Sequence, residues 1–148
     1  MKRTTRVALV MLFFLLVYYE AYRWLPLGRW NWQFRWPVHN DQFYPDIAIG
    51  ALLVSFIFAF LRGWRAWKWV CVVLLGAWVC VHFFDWWLPY CQNSAANQAR
   101  FSYYSAHTQV LPVIDRHYPP DGGHAILDFF LYPAWLACLA ATVGRTAV

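Results

Sequence analysis

The sequence predicts an all-α membrane protein: a four-transmembrane-helix bundle with a short aromatic strand or hairpin and a partly helical external loop. Three observations predict it. Only 13% of the 148 residues are charged, against roughly 25% in soluble domains. The apolar residues gather into four long runs, each close to the ~20 residues that a helix needs to cross ~30 Å of hydrocarbon. Between the runs lie Pro, Gly and polar clusters that interrupt helices. This pattern makes residues 1–148 one integral membrane domain.

The net charge of +5 does not point to nucleic acid. The basic residues flank apolar runs and form no stripe, so they read as topology signals. The expected partner is the lipid bilayer, with a membrane-protein partner or a second copy of the chain also compatible. Cys71, Cys80 and Cys138 sit in apolar runs as small packing residues, and only Cys91 lies in a loop. A disulfide between chains or a metal at Cys91 stays open.

The first helix is expected over residues 7–25, stopping before Pro26, which disfavours helical backbone in the residue ahead of it. Its run ends in Tyr18-Tyr19-Glu20 rather than in small residues, so it reads as an uncleaved span and not as a secretory signal. In the external loop 26–45, aromatics fall on alternate positions from Arg29 to Trp36. That period puts Trp30, Trp32, Phe34 and Trp36 on one side of a strand, suited to the membrane interface.

The second helix, 46–62, opens at Pro45-Asp46, where Pro tolerates a helix start and Asp can cap it. Gly63 then breaks the chain into a tight basic connection. The third helix, 68–88, is expected to end at Pro89. The external loop 89–123 follows. Within it, Ser94 to Val110 can form an amphipathic helix with Phe101, Tyr104, Thr108 and Leu111 on one face. The fourth helix, 124–143, carries Pro133, which removes a backbone donor and predicts a kink. Lys2, Arg3, Arg6, Arg62, Arg65, Lys68 and Arg145 crowd the short segments on one side. Positive charge marks that side as cytoplasmic, with both termini there, as in a bacterial inner membrane.

The chemistry-bearing residues gather on the other side. Residues 82–128 hold four of the five histidines, and every acid falls in the outer half of the expected topology. His82 and Asp85 are three apart, and His124 and Asp128 four apart, so each pair shares a helix face. By helix rise, Asp128 and Glu20 lie at a similar depth, ~6–8 Å from the outer helix ends. His82, Asp85, His124, Asp128 and Glu20 are therefore the candidate catalytic residues, and His82, His124 and Asp128 the candidate metal ligands. A carboxylate beside an imidazole fixes its tautomer and raises its basicity, which serves both chemistries. Two plainer roles compete. Arg100 or Arg116 could pair with Asp85 or Asp128 as an ion-pair latch, and Asp121 with His124 could simply cap the fourth helix. Gly122-Gly123 before that helix could present N–H groups to an anion.

Asp85-Trp86-Trp87-Leu88-Pro89-Tyr90, then Thr108 with Leu111-Pro112, then Pro120-Asp121 with His124, resemble a family of small uncharacterised bacterial four-helix membrane proteins. The shared pattern is WWxPY, TxxLP and PDxxH, and it covers residues 85–128. The resemblance implies the four-helix architecture and the importance of this stretch, with no established activity. Where similar members often carry a histidine, this chain has Asp128. The expected function is a small polytopic accessory or assembly subunit, or a small-ligand-binding protein, with a polar layer at the outer membrane face. The alternative is a membrane-embedded enzyme, metal- or His/Asp-dependent, acting at the outer leaflet. No cofactor is identified by any motif.

Overall fold

The computed structural model describes residues 1–31, 43–92, 95–105, 107–114 and 117–144. Four helical stretches are long and apolar enough to cross a membrane: Arg3–Trp24, Phe43–Arg62, Arg65–Gln92 and Gly122–Val143. The chain is an all-α four-helix bundle. We number its helices α1 (Arg3–Trp24), α2 (Phe43–Arg62), α3 (Arg65–His82), α4 (Leu88–Gln92), α5 (Ala95–Tyr104) and α6 (Gly122–Val143). A single π-helical turn, Phe83–Trp87, joins α3 to α4.

α1 and α6 form the most extensive helix pair, and α6 also packs on α3 and α1 on α2. The buried face of α1 reads Thr5, Ala8, Leu12, Leu15 and Tyr19, a three-and-four spacing that makes one stripe. Phe13, Phe14 and Val17 between them are exposed, as suits a lipid-facing side. Helices in lipid associate through close packing and polar contacts rather than through hydrophobic burial. Ala8, Ala134 and Ala141 are fully or almost fully buried and let backbones approach. Trp135 adds a polar tie from α6, donating from Nε1 to the Val72 carbonyl of α3 at 3.1 Å.

The α2–α3 connection is as tight as its glycine suggests. Gly63 adopts φ +77°, and the Trp64 N–H reaches back to the Ala59 carbonyl at 3.0 Å. That left-handed residue and five-residue bond close a helix end with little strain at glycine. Lys68 turns inward here. It is 1% exposed, and its ammonium lies 5.0 Å from the centre of the Phe60 ring, a cation–π distance. The chain ends meet at the same end of the bundle, where Lys2 Nζ donates to the Gly144 carbonyl. The connecting loops occupy the other, hereafter the loop end.

Three expectations need correction. Arg29 and Trp30 lie in a 3₁₀ turn, Gly28–Trp30, rather than in a strand. Asn31 imposes it. Its amide donates to the carbonyls of Tyr22 and Leu25 at 2.6 Å each and accepts from Leu27 N–H at 2.8 Å, so it satisfies the end of α1 and folds the chain back. Among the described residues there is no strand, only an isolated bridge between Ile114 and His117; Trp32, Phe34 and Trp36 lie outside them. Pro89 does not end the third span, which runs on to Gln92. Proline in a helix needs relief from its missing donor and its crowded upstream carbonyl, and the π turn lies immediately before it. The loop helix stops at Tyr104, short of Val110. Cys71 and Cys138 are buried, but Cys80 is exposed, as is Cys91, and all four are free thiols.

Candidate functional site

The site is assembled at the loop end from α6, α3 and the returning loop. Asp121 has extended backbone and caps α6. Its Oδ1 accepts from the His124 backbone N–H at 2.9 Å and lies 3.0 Å from His124 Nδ1. The loop is pinned above it, with Thr108 N–H donating to the Arg29 carbonyl at 2.8 Å and Gly122 N–H to the Thr108 carbonyl at 2.7 Å. This brings in His107, whose Nδ1 is 3.1 Å from the second Asp121 oxygen but poorly aligned for a hydrogen bond. One carboxylate thus serves two imidazoles.

About two turns further along α6, Asp128 is 2% exposed. Its Oδ1 lies 2.7 Å from His82 Nδ1, and its Oδ2 accepts from Trp87 Nε1 at 2.6 Å. The π turn explains how one carboxylate reaches both. At ~100° per residue an α-helix would put residues 82 and 87 about 140° apart. The wider i→i+5 turn, seen in the Leu88 N–H bond to the Phe83 carbonyl, stacks residues five apart on one side. The same turn presents Trp86, which stacks on the His124 ring at 4.1 Å. Tyr104 meets that ring edge-on at 5.4 Å, and the His82 ring lies 6.0 Å away. Two carboxylate-held imidazoles therefore stand side by side within an aromatic wall.

Burial raises the pKa of the Asp121 carboxyl. The hydrogen bonds and positive charge of His124, with a smaller effect from His107, outweigh it and hold the group below the usual aspartate value. As an ionised acceptor it requires the proton on His124 Nδ1, which leaves Nε2 as the working nitrogen. His82 likewise has its Nδ1 taken up by Asp128 Oδ1, which leaves its Nε2. Such imidazoles can accept or deliver a proton or hydrogen-bond a ligand.

The sequence pairs are redistributed. His82 pairs with Asp128 across helices, not with Asp85, which the π turn leaves exposed. His124 pairs with Asp121, not with Asp128. Glu20 does not join the cluster. It faces α2, its carboxylate so close to Gly50 that a Cβ there would overlap it. Beside it, Arg23 donates from Nε to Asp46 Oδ2 at 2.8 Å and Tyr19 OH to Oδ1 at 3.0 Å, a separate polar tie between α1 and α2. Arg116 and the Arg100 side chain lie outside the described residues; Asp128, for its part, is held by histidine and tryptophan. Gly122 and Gly123 serve packing rather than anion binding, because the Asp121 carboxylate occupies the helix start and a Cβ on Gly123 would run into the Tyr22 ring. Among the described residues no three His, Cys, Asp or Glu side chains converge as metal ligands, since His82 and Asp128 spend their facing atoms on each other. Comparison with family models, curated proteins and solved structures finds no match.

Trp86, Trp87 and His107 were absent from the sequence candidates. Trp87 was hidden because its role depends on a turn that breaks the α-helical period. His107 sits in a loop, where no periodicity links it to Asp121.

Proposed function

We propose that this chain is a non-enzymatic, small-ligand-binding membrane protein whose loop-end histidine–carboxylate cluster is the recognition site. One observation carries the reading: His82 and His124 each commit Nδ1 to a buried carboxylate, leaving two adjacent imidazoles with Nε2 free of protein partners among the described residues. A purely structural latch needs one such pair. Trp86 and Tyr104 add a flat aromatic wall, the usual lining of small-molecule sites. The ligand is a small polar molecule or the headgroup of an amphiphile, because the site lies at the membrane's polar boundary.

The positive-residue distribution supports placing the loop end outside a bacterial inner membrane, with both termini cytoplasmic. The resemblance over residues 85–128 supports the same architecture and a shared role for the Trp-Trp turn and the Pro-Asp-x-x-His helix start. A membrane-protein partner or a second copy is compatible with the exposed apolar helix faces. A second reading, a membrane-embedded enzyme, is favoured by the carboxylate-oriented imidazoles, an arrangement that also suits a general base.

Native mass spectrometry of the protein released from lipid nanodiscs tests the main reading. The expected result is a small-molecule adduct that survives in wild type and is lost in His124→Asn and His82→Gln. If both variants retain the adducts of wild type, or wild type carries none and only melting temperature changes in the variants, the ligand-site reading fails. Turnover of a bound molecule in wild type but not in His82→Gln would instead select the enzyme.

A further inference from the structure

On α6, Asp121, His124, Asp128 and Tyr132 follow one another at spacings of three and four, so they form a polar file on one helix face. At ~1.5 Å per residue the file descends ~16 Å from the loop end, to about mid-membrane. Each step but the last has a close polar neighbour. Asp121 lies between His107 and His124, at 3.1 and 3.0 Å. The His124 and His82 rings are 6.0 Å apart. His82 lies 2.7 Å from Asp128. Tyr132, one turn deeper, has a buried hydroxyl without a hydrogen-bond partner among the described residues.

We propose that this file is a proton relay connecting water at the loop end with the buried His82–Asp128 pair. His124 is the entry group, its side chain 19% exposed, against 11% for His82 and 2% for Asp128. A proton taken up at His124 Nε2 passes through one bridging water to His82 Nε2, and His82 releases its Nδ1 proton to Asp128 Oδ1. Each imidazole gains one proton and loses one, and the net result is one proton moved from water to the Asp128 carboxylate. The two ring centres are 6.0 Å apart, and neither Nε2 has a protein partner among the described residues, so a water can carry the step between them. Asp121 fixes the His124 ring for the transfer. The other titratable groups facing the path are Tyr18 and Tyr22 from α1, Cys80 from α3 and Tyr104 from α5. Arg23 and Asp46 neutralise each other on the α2 side. Tyr132 ends the file. A relay of this kind sets the side of the membrane from which the buried carboxylate exchanges protons, whatever ligand binds.

The test is the exchange rate of the His82 Nδ1 proton with water, read by NMR on protein labelled with ¹⁵N-histidine in lipid nanodiscs. His82→Gln assigns the signal. In His124→Asn the amide still donates to Asp121 but cannot pass a proton, so exchange should slow by about 100-fold, the low end for loss of a positioned proton-transfer group. In His124→Ala, added imidazole should restore the rate by filling the vacated place. His117→Gln, off the path with its Nδ1 on the Tyr90 carbonyl, should match wild type. Unchanged or faster exchange in His124→Asn overturns the relay. So does slow exchange in His124→Ala that imidazole does not relieve.

Discussion

At the scale of single residues, the two buried aspartates differ in what they contribute. Asp128 accepts two charge-assisted bonds inside the bundle, and such bonds contribute about 1.5–3 kcal/mol each when tested by mutation. Asp128→Asn keeps the shape but replaces one acceptor by a donor facing His82 or Trp87. It should lower stability by about 3–5 kcal/mol in a denaturation series, the cost of breaking a buried pair. Asp121 contributes a pH-dependent part. Its carboxyl is held below the ordinary aspartate value, so the folded state favours the ionised form. That stability is fully present above the unfolded value of about 3.9 and is lost as pH falls through the lower folded value. Asp121→Asn keeps a competent helix cap. Its melting temperature should therefore fall less steeply than that of wild type as pH drops below about 4. Parallel curves would remove Asp121 from the acid response.

At the scale of elements, the four spans were legible because each is a long apolar run bounded by proline, glycine or charge. Helix order and the Gly63 turn followed from the same signals. The site was half legible. Depth counting placed Asp128 and Glu20 at a similar level from the helix rise alone, but only Asp128 belongs to the cluster. Pairing was misread because same-helix spacing cannot reveal a partner on another helix, and because the π turn at Phe83–Trp87 shifts the register by one residue. The surface strand at Arg29 failed for a local reason, the side chain of Asn31 closing a turn that alternation does not register. Two substitutions probe these elements. Trp87→Phe removes the indole donor to Asp128 together with part of the ring and should destabilise by about 1.5–3 kcal/mol; an unchanged melt would mean the π turn does not deliver that bond. Gly123→Ala forces a Cβ against Tyr22, whose ring already stacks with Tyr18 at 6.1 Å. Overpacking there should cost about 1–3 kcal/mol and loosen the α1–α6 pair, seen as faster amide exchange at the end of α1 and the start of α6.

At the scale of the whole molecule, the bundle is polar-loaded at one end. The termini end carries the chain ends, the Gly63 turn and the inward Lys68, whereas the loop end carries the 3₁₀ turn, α5 and both histidine–carboxylate pairs. Cys91, exposed at the loop end, gives a natural handle on orientation: with Cys80 replaced by Ser, a membrane-impermeant maleimide added to intact cells should label it. Protection until the cells are opened would invert the proposed topology. The measurement closest to the central claim is the ¹⁵N spectrum of the histidine side chains in nanodiscs, compared among wild type, Asp128→Asn and Asp121→Asn. The result expected is that Asp128→Asn moves the His82 Nδ1 resonance and leaves His107 nearly unchanged, while Asp121→Asn moves His124 and His107 more than His82. A His82 signal indifferent to Asp128→Asn, or a His124 signal indifferent to Asp121→Asn, would contradict the two carboxylate-held imidazoles on which the site is built.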